Sequence, residues 1–118
     1  MSSAPPSSDP RAPDGWTIRP AARRRQRARG LLGRPRLDPL EGLWLPVRSV
    51  HTFGMRFAID LVWLGRDGAV LRVDRAVPRG RVRTCTAARG GVVEVAADRG
   101  PALARALAGR RVPAAVGS

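Results

Sequence analysis

His51 and Cys85 are each the only residue of their type in this 118-residue sequence, so the search for chemistry begins with them. An imidazole that meets a thiol makes a nucleophile–base pair. The two lie far apart in sequence, and Arg83-Thr84-Cys85-Thr86-Ala87 forms neither a nucleophile elbow nor a helix start. Cys85 therefore reads as a small buried strand residue. Joined by Met55 and Asp60, the same side chains make a mixed soft-metal set. Structural zinc, however, takes about four N or S donors, and one His, one Cys and two Met do not supply the usual combinations. No catalytic residue, metal or cofactor is assigned from these residues.

Among the acids, Asp60 stands out because it sits inside an apolar run, Phe57–Leu64. A carboxylate there has to be hydrogen-bonded or paired with arginine, since an unpaired buried charge costs several kcal/mol. It is expected to hold a loop through backbone N–H groups or an Arg pair, or else to bind a ligand directly. Asp67, between Arg66 and Gly68, reads as a turn residue. Asp74, flanked by Arg72 and Arg75, reads as a surface ion-pair partner of little energetic weight. Gly30-Leu-Leu-Gly33 and Gly65-Arg-Asp-Gly68 are bounded by glycines but fit no phosphate-cradling pattern.

Arginine dominates the rest. All 22 basic residues are Arg against nine acids, giving a net charge of +13. Such a surplus attracts polyanions at low salt. The densest run is Arg19–Arg36, where Arg23, Arg24, Arg25, Arg27, Arg29, Arg34 and Arg36 form an alternative polyanion-binding surface. Against that reading stand the five aromatic residues, three Trp and two Phe, most of them placed for a core rather than a stacking platform. No helix-turn-helix, zinc-finger or RNP-type signature accompanies the arginines.

The elements that have to position these groups are short. Residues 1–14 are Pro- and Ser-rich and are expected to be a disordered tail. One domain over 15–118 follows, the most that this length allows. Gly15–Arg19 suggests a strand with Trp16 and Ile18 on one face, and Pro20 opens a helix over Ala21–Leu32 that Gly33 and Pro35 stop. Gly42–Val47 reads as a strand near a sheet edge because of Pro46. Ser49–Met55 continues as a strand or bulged connection.

Phe57–Leu64 is the clearest strand. Phe57, Ile59, Leu61 and Trp63 point one way, and Ala58, Asp60, Val62 and Leu64 the other, so an interior position is expected. Gly65-Arg-Asp-Gly68 signals a hairpin turn into Ala69–Asp74. Val82–Thr86 and Gly91–Ala96 are further strands, and Pro101–Ala108 is expected to be a helix stopped by Gly109. The sum is a mainly β domain, a compact β-sandwich or jelly-roll-like small barrel with one or two accessory helices.

No stretch approaches the ~20 apolar residues of a membrane span. The first residues lack the basic and apolar regions of a secretory signal. A lone cysteine fits a reducing compartment. A cytoplasmic monomer is expected.

The run Ser49-Val-His-Thr-Phe-Gly-Met-Arg-Phe-Ala-Ile-Asp-Leu-Val-Trp-Leu-Gly-Arg-Asp-Gly68 resembles the central motif of the domain of unknown function 192 family. Gly30–Arg34, the apolar strand Leu43–Val47 and the Val92–Val95 strand extend the resemblance over about residues 17–100. It implies a compact β domain and no particular function. The family's recurrent positions fall on His51, Thr52, Met55, Asp60, Asp67, Gly68 and Glu94. This chain departs at Ala58, where proline is usual, at Trp63, often phenylalanine, and at Gly109-Arg110, where a Gly-Asp pair is usual. Many members resemble exported or lipid-anchored proteins, which the start of this chain does not.

Three functional readings follow. The favoured one is a non-catalytic module binding a ligand or partner, as yet unknown, around His51, Thr52, Met55 and Asp60. The second is a weak polyanion binder on the arginine run. The third is a small enzyme using His51 as base with Asp60 as orienter.

Overall fold

The structure, a computed structural model, describes residues 15–20, 37–55 and 57–117, with side chains described as far as Ala108. The elements are β1 (Thr17–Pro20), β2 (Glu41–Leu45), β3 (Ser49–His51), β4 (Ile59–Leu64), β5 (Val70–Val77), β6 (Val82–Thr84), β7 (Gly91–Ala96) and α1 (Gly100–Gly117). The expected tail over 1–14, the expected helix over Ala21–Leu32 and the seven arginines between Arg23 and Arg36 lie outside the described residues.

Five strands form one sheet in the order β1-β2-β7-β4-β5, while β3 and β6 pair as a separate two-stranded ribbon. β1 is parallel to β2, and the other pairings are antiparallel. The sheet stays open, with β1 and β5 at its edges, so the domain is sandwich-like rather than a closed barrel.

Side-chain alternation explains why both faces of this sheet are covered. Ile59, Leu61 and Trp63 of β4 join Leu45, Val92 and Val77 in one core, which Val50 of the ribbon, Met55, Cys85, Ala88 and Leu37 complete. Val62 joins Val93 and Val95 on the opposite face, where Leu103 of α1 and Trp16 cover them. Ile59, Leu61, Val62 and Trp63 are each 0% exposed. At about 1.5–3 kcal/mol for each large apolar side chain removed from water, this one strand supplies a substantial share of the stabilising burial.

Three expectations change in detail. β4 starts at Ile59, leaving Phe57 and Ala58 in the approach to it. β2 is paired on both sides, one place in from the edge strand β1, and it ends at Leu45 instead of Val47, so Pro46 removes no donor from the ladder. Helix α1 runs through Gly109 to Gly117. An interior glycine costs only about 1 kcal/mol relative to alanine, and Leu107, Ala108, Arg110 and Arg111 around it are good helix formers.

The Gly65–Gly68 turn forms as its sequence demands. Gly65 N–H donates to Ala69 O at 2.8 Å and Gly68 N–H to Gly65 O at 2.9 Å. Gly68 takes φ +84°, which a side chain would strain. Asp67 Oδ1 accepts from Ala69 N–H at 2.9 Å, the local closure that suits aspartate to turns.

β5 continues to Val77 with an extra residue. Ile59 pairs with Val77 and Leu61 with Asp74, so three steps along β5 match two along β4. This is a β-bulge, and Ala76 takes φ +49° within it. A polar network joins the two sheets. Trp63 Nε1 donates to Asp74 Oδ2 at 3.0 Å, Arg72 Nε donates to Asp74 Oδ1 at 2.9 Å, and Arg72 Nη2 reaches Thr84 O of β6 at 2.8 Å. The hydrogen bond with Asp74 pushes the Arg72 pKa up against the opposing effect of burial, so this link stays charged. Arg75, expected beside Asp74, pairs with Asp98 at 3.0 Å instead.

Candidate functional site

The segment Ser49–Met55 carries His51, Thr52 and Met55, and the structure sends them in different directions. β3 pairs with β6 through Ser49↔Thr84, Val50↔Arg83 and His51↔Val82, and the hydroxyls of Ser49 and Thr84 lie 2.9 Å apart across it. Alternation turns Val50 inward to the core and leaves His51 half-buried on the other side.

Thr52 is 1% exposed and acts as a latch. Its Oγ1 donates to Pro78 O at 2.7 Å and accepts from Arg81 N–H at 2.9 Å. Its own N–H donates to Arg81 O at 2.8 Å, and its carbonyl accepts from Gly80 N–H and Met55 N–H, both at 3.2 Å. One small residue thus clamps the β5–β6 turn and closes the turn that follows it. Threonine suits this because its hydroxyl donates and accepts while its methyl packs. Met55, 4% exposed, fills the core beneath.

Asp60 is fully buried. Its Oδ1 accepts from the bulged Ala76 N–H at 2.7 Å and its Oδ2 from Gly100 N–H at 2.8 Å. Gly100 begins α1, where the first N–H groups lack intrahelical partners and a negative charge is favoured. A strand residue 40 positions upstream therefore caps the helix and stabilises the bulge together. A Cβ on Gly100 would stand 2.8 Å from Asp60 Oδ2, so the close approach requires glycine.

Neither of these hydrogen bonds joins Asp60 to His51. His51 instead stacks on Phe53, with ring centroids 5.3 Å apart and planes at 26°. Phe53 is 57% exposed and Val82, opposite His51, is 54% exposed. A Cβ on Gly80 would lie 3.8 Å from the Phe53 ring. The accessible feature is therefore an aromatic and apolar surface of His51, Phe53 and Val82 beside the turn bearing the exposed Arg79 and Arg81.

Sequence reasoning missed Phe53, because aromatics in a small β domain are assigned to the core by default. Its position between a polar residue and Gly54, which takes φ +82°, was the available signal that the chain turns outward there. Cys85 is buried and its N–H donates to Arg48 O at 2.9 Å. Glu94 is fully buried in β7 across from Leu43 and Leu61. Among the described residues, no three His, Cys, Asp or Glu side chains gather as metal ligands would, and no helix is long and apolar enough to cross a membrane.

The model of the domain of unknown function 192 (DUF192) family, described as an uncharacterized ACR, matches residues 9–105. A search of curated proteins finds no match. Two crystal structures share the fold. A protein of unknown function from Novosphingobium aromaticivorans superposes with a TM-score of 0.63 at 17% identity, over 75% of this chain and 68% of that one. A protein from Sinorhizobium meliloti, described as a candidate transcription regulator, superposes with a TM-score of 0.62 at 22% identity, over 75% and 74%.

Proposed function

Because this chain belongs to the DUF192 family, with its compact and mainly β fold, we propose that it is a non-catalytic, monomeric binding module of the cytoplasm. The partner docks on the His51–Phe53 end of the domain. The observation that carries this reading is the 57% exposure of Phe53 on a segment clamped by Thr52. A ring held in place before binding loses little entropy when it is covered, and aromatics are enriched where interfaces bury most.

Of the four residues singled out from sequence, His51 is then a contact, and Thr52, Met55 and Asp60 are the frame that presents it. The partner that suits this face is a protein segment offering an apolar side chain beside carboxylates, because Phe53 and Val82 are flanked by Arg79 and Arg81. The enzyme reading has less support, since the hydrogen bonds of Asp60 go to Ala76 and Gly100 rather than to the imidazole. Polyanion binding through Arg23–Arg36 rests on the net charge of +13. It predicts RNA or heparin affinity that survives ~0.3 M salt, where simple counterion-release attraction has weakened steeply.

A photo-reactive phenylalanine analogue placed at position 53 tests the proposal in cells. The expected result is a discrete adduct with one acidic protein, absent when the analogue stands at Leu71, which is 45% exposed on β5. No adduct at 53, or the same adducts at both positions, rejects the docking surface. An adduct with a second copy of the chain rejects the monomer.

A further inference from the structure

We propose that the pocket framed by Arg48, Arg66 and Arg89 binds the phosphate group of a small phosphorylated molecule. This site is separate from the His51–Phe53 surface and does not depend on it. The pocket holds about 440 Å³ and is lined by Pro46, Arg48, Arg66, Ala88 and Arg89. That volume falls in the range of about 300–1,000 Å³ typical of small-ligand sites.

The three arginines come from three connections: β2 to β3, the β4–β5 turn, and β6 to β7. Their meeting is a product of the fold rather than of a basic run. Two arginines of the neighbouring β5 are each paired with a carboxylate, Arg72 with Asp74 and Arg75 with Asp98. Among the described residues no carboxylate lines the pocket, and the neighbouring Asp67 is engaged by Ala69 N–H. Three like charges that converge in a concavity repel one another and focus a positive potential. An oxyanion relieves that repulsion, and planar guanidinium forks match phosphate oxygens in pairs.

The frame is rigid. Arg48 Nη1 donates to Thr86 O at 3.2 Å, which ties that side chain to the β6–β7 connection. Along that connection Ala88 N–H donates to Cys85 O at 3.0 Å, Arg89 N–H to Ala87 O at 2.8 Å and Gly90 N–H to Leu64 O at 2.9 Å. Gly90 sits so close to the β4–β5 turn that a Cβ there would overlap Gly65 O. Arg66 and Arg89 are thus carried on backbones packed directly together. Among the described residues, only Pro46 and Ala88 offer apolar surface and no aromatic lines the pocket, so charge rather than base stacking selects the ligand.

The test is titration of the full chain with inorganic pyrophosphate at 0.15 M salt, followed by amide NMR. Shifts confined to residues 47–48, 65–68 and 85–90 are expected. Arg66→Ala should weaken binding about tenfold, the loss that removing one charge-assisted contact brings. Arg89→Ala should do the same, and Arg105→Ala, an equal loss of charge on exposed α1, should leave the affinity within about twofold. Arg66 is an exposed turn residue, so its variant keeps the test valid should Arg89→Ala misfold. Absence of shifts, or equal weakening by Arg105→Ala, overturns the site. Displacement of pyrophosphate by single-stranded RNA at far lower phosphate concentration overturns the small-molecule assignment.

Discussion

The carboxylate of Asp60 accepts from two backbone N–H groups that belong to different elements, the β5 bulge and the start of α1. Asp60→Ala leaves the buried Gly100 N–H and the part-buried Ala76 N–H without acceptors, and an unsatisfied buried group costs about 1–3 kcal/mol. A loss of about 3 kcal/mol is expected in urea unfolding, with faster amide exchange at Gly100 and Ala76 as the local signature. Thr52→Val tests the second latch. The swap keeps the shape but strands Arg81 N–H and Pro78 O, so about 2 kcal/mol should be lost, with Arg81 exchange accelerating most. If either variant unfolds at the wild-type midpoint, the assigned role is wrong.

At the scale of elements, the β4–β5 turn and the β6–β7 connection act as one unit because Gly65 and Gly90 pack backbone to backbone. Trp44 Nε1 adds a 2.8 Å hydrogen bond to Gly90 O. Gly90→Ala has to push these segments apart, and overpacking of this kind costs about 1–3 kcal/mol. Thermal unfolding should report a lowered midpoint, and resonances of residues 65–68 should move although the mutation lies more than twenty positions away. Unchanged turn resonances would contradict the packing. The ribbon is held more lightly than the main sheet. Its two strands have three residues each, and the Arg72 link to Thr84 is exposed, so its amides should exchange before those of β4 and β7.

For the whole molecule, the question is whether two cores on opposite faces of one sheet unfold together. Trp63 belongs to the first core and Trp16 to the second, while β4 and β7 contribute side chains to both. Shared strands couple the faces, so fluorescence and far-UV circular dichroism should give coincident transitions, as in a two-state domain. Leu103→Ala, a truncation where α1 covers the sheet, should cost about 2–5 kcal/mol and shift both signals equally. Separate transitions would divide the domain into independent halves.

Local patterns were enough for part of this protein. The alternation of Phe57–Leu64, the Asp67-Gly68 turn and the valine-rich Gly91–Ala96 strand were legible because period-two burial and left-handed glycine are properties of neighbouring residues. The need of Asp60 for a partner was legible for a similar reason, since a charge in an apolar run has to be compensated. Tertiary structure alone decided that its partners are Ala76 and Gly100, that β2 lies inside the sheet, and that Phe53 faces solvent while Met55 does not. It also decided that Arg48, Arg66 and Arg89 meet. Those outcomes depend on which distant segments share a face, and no single stretch of sequence carries that information.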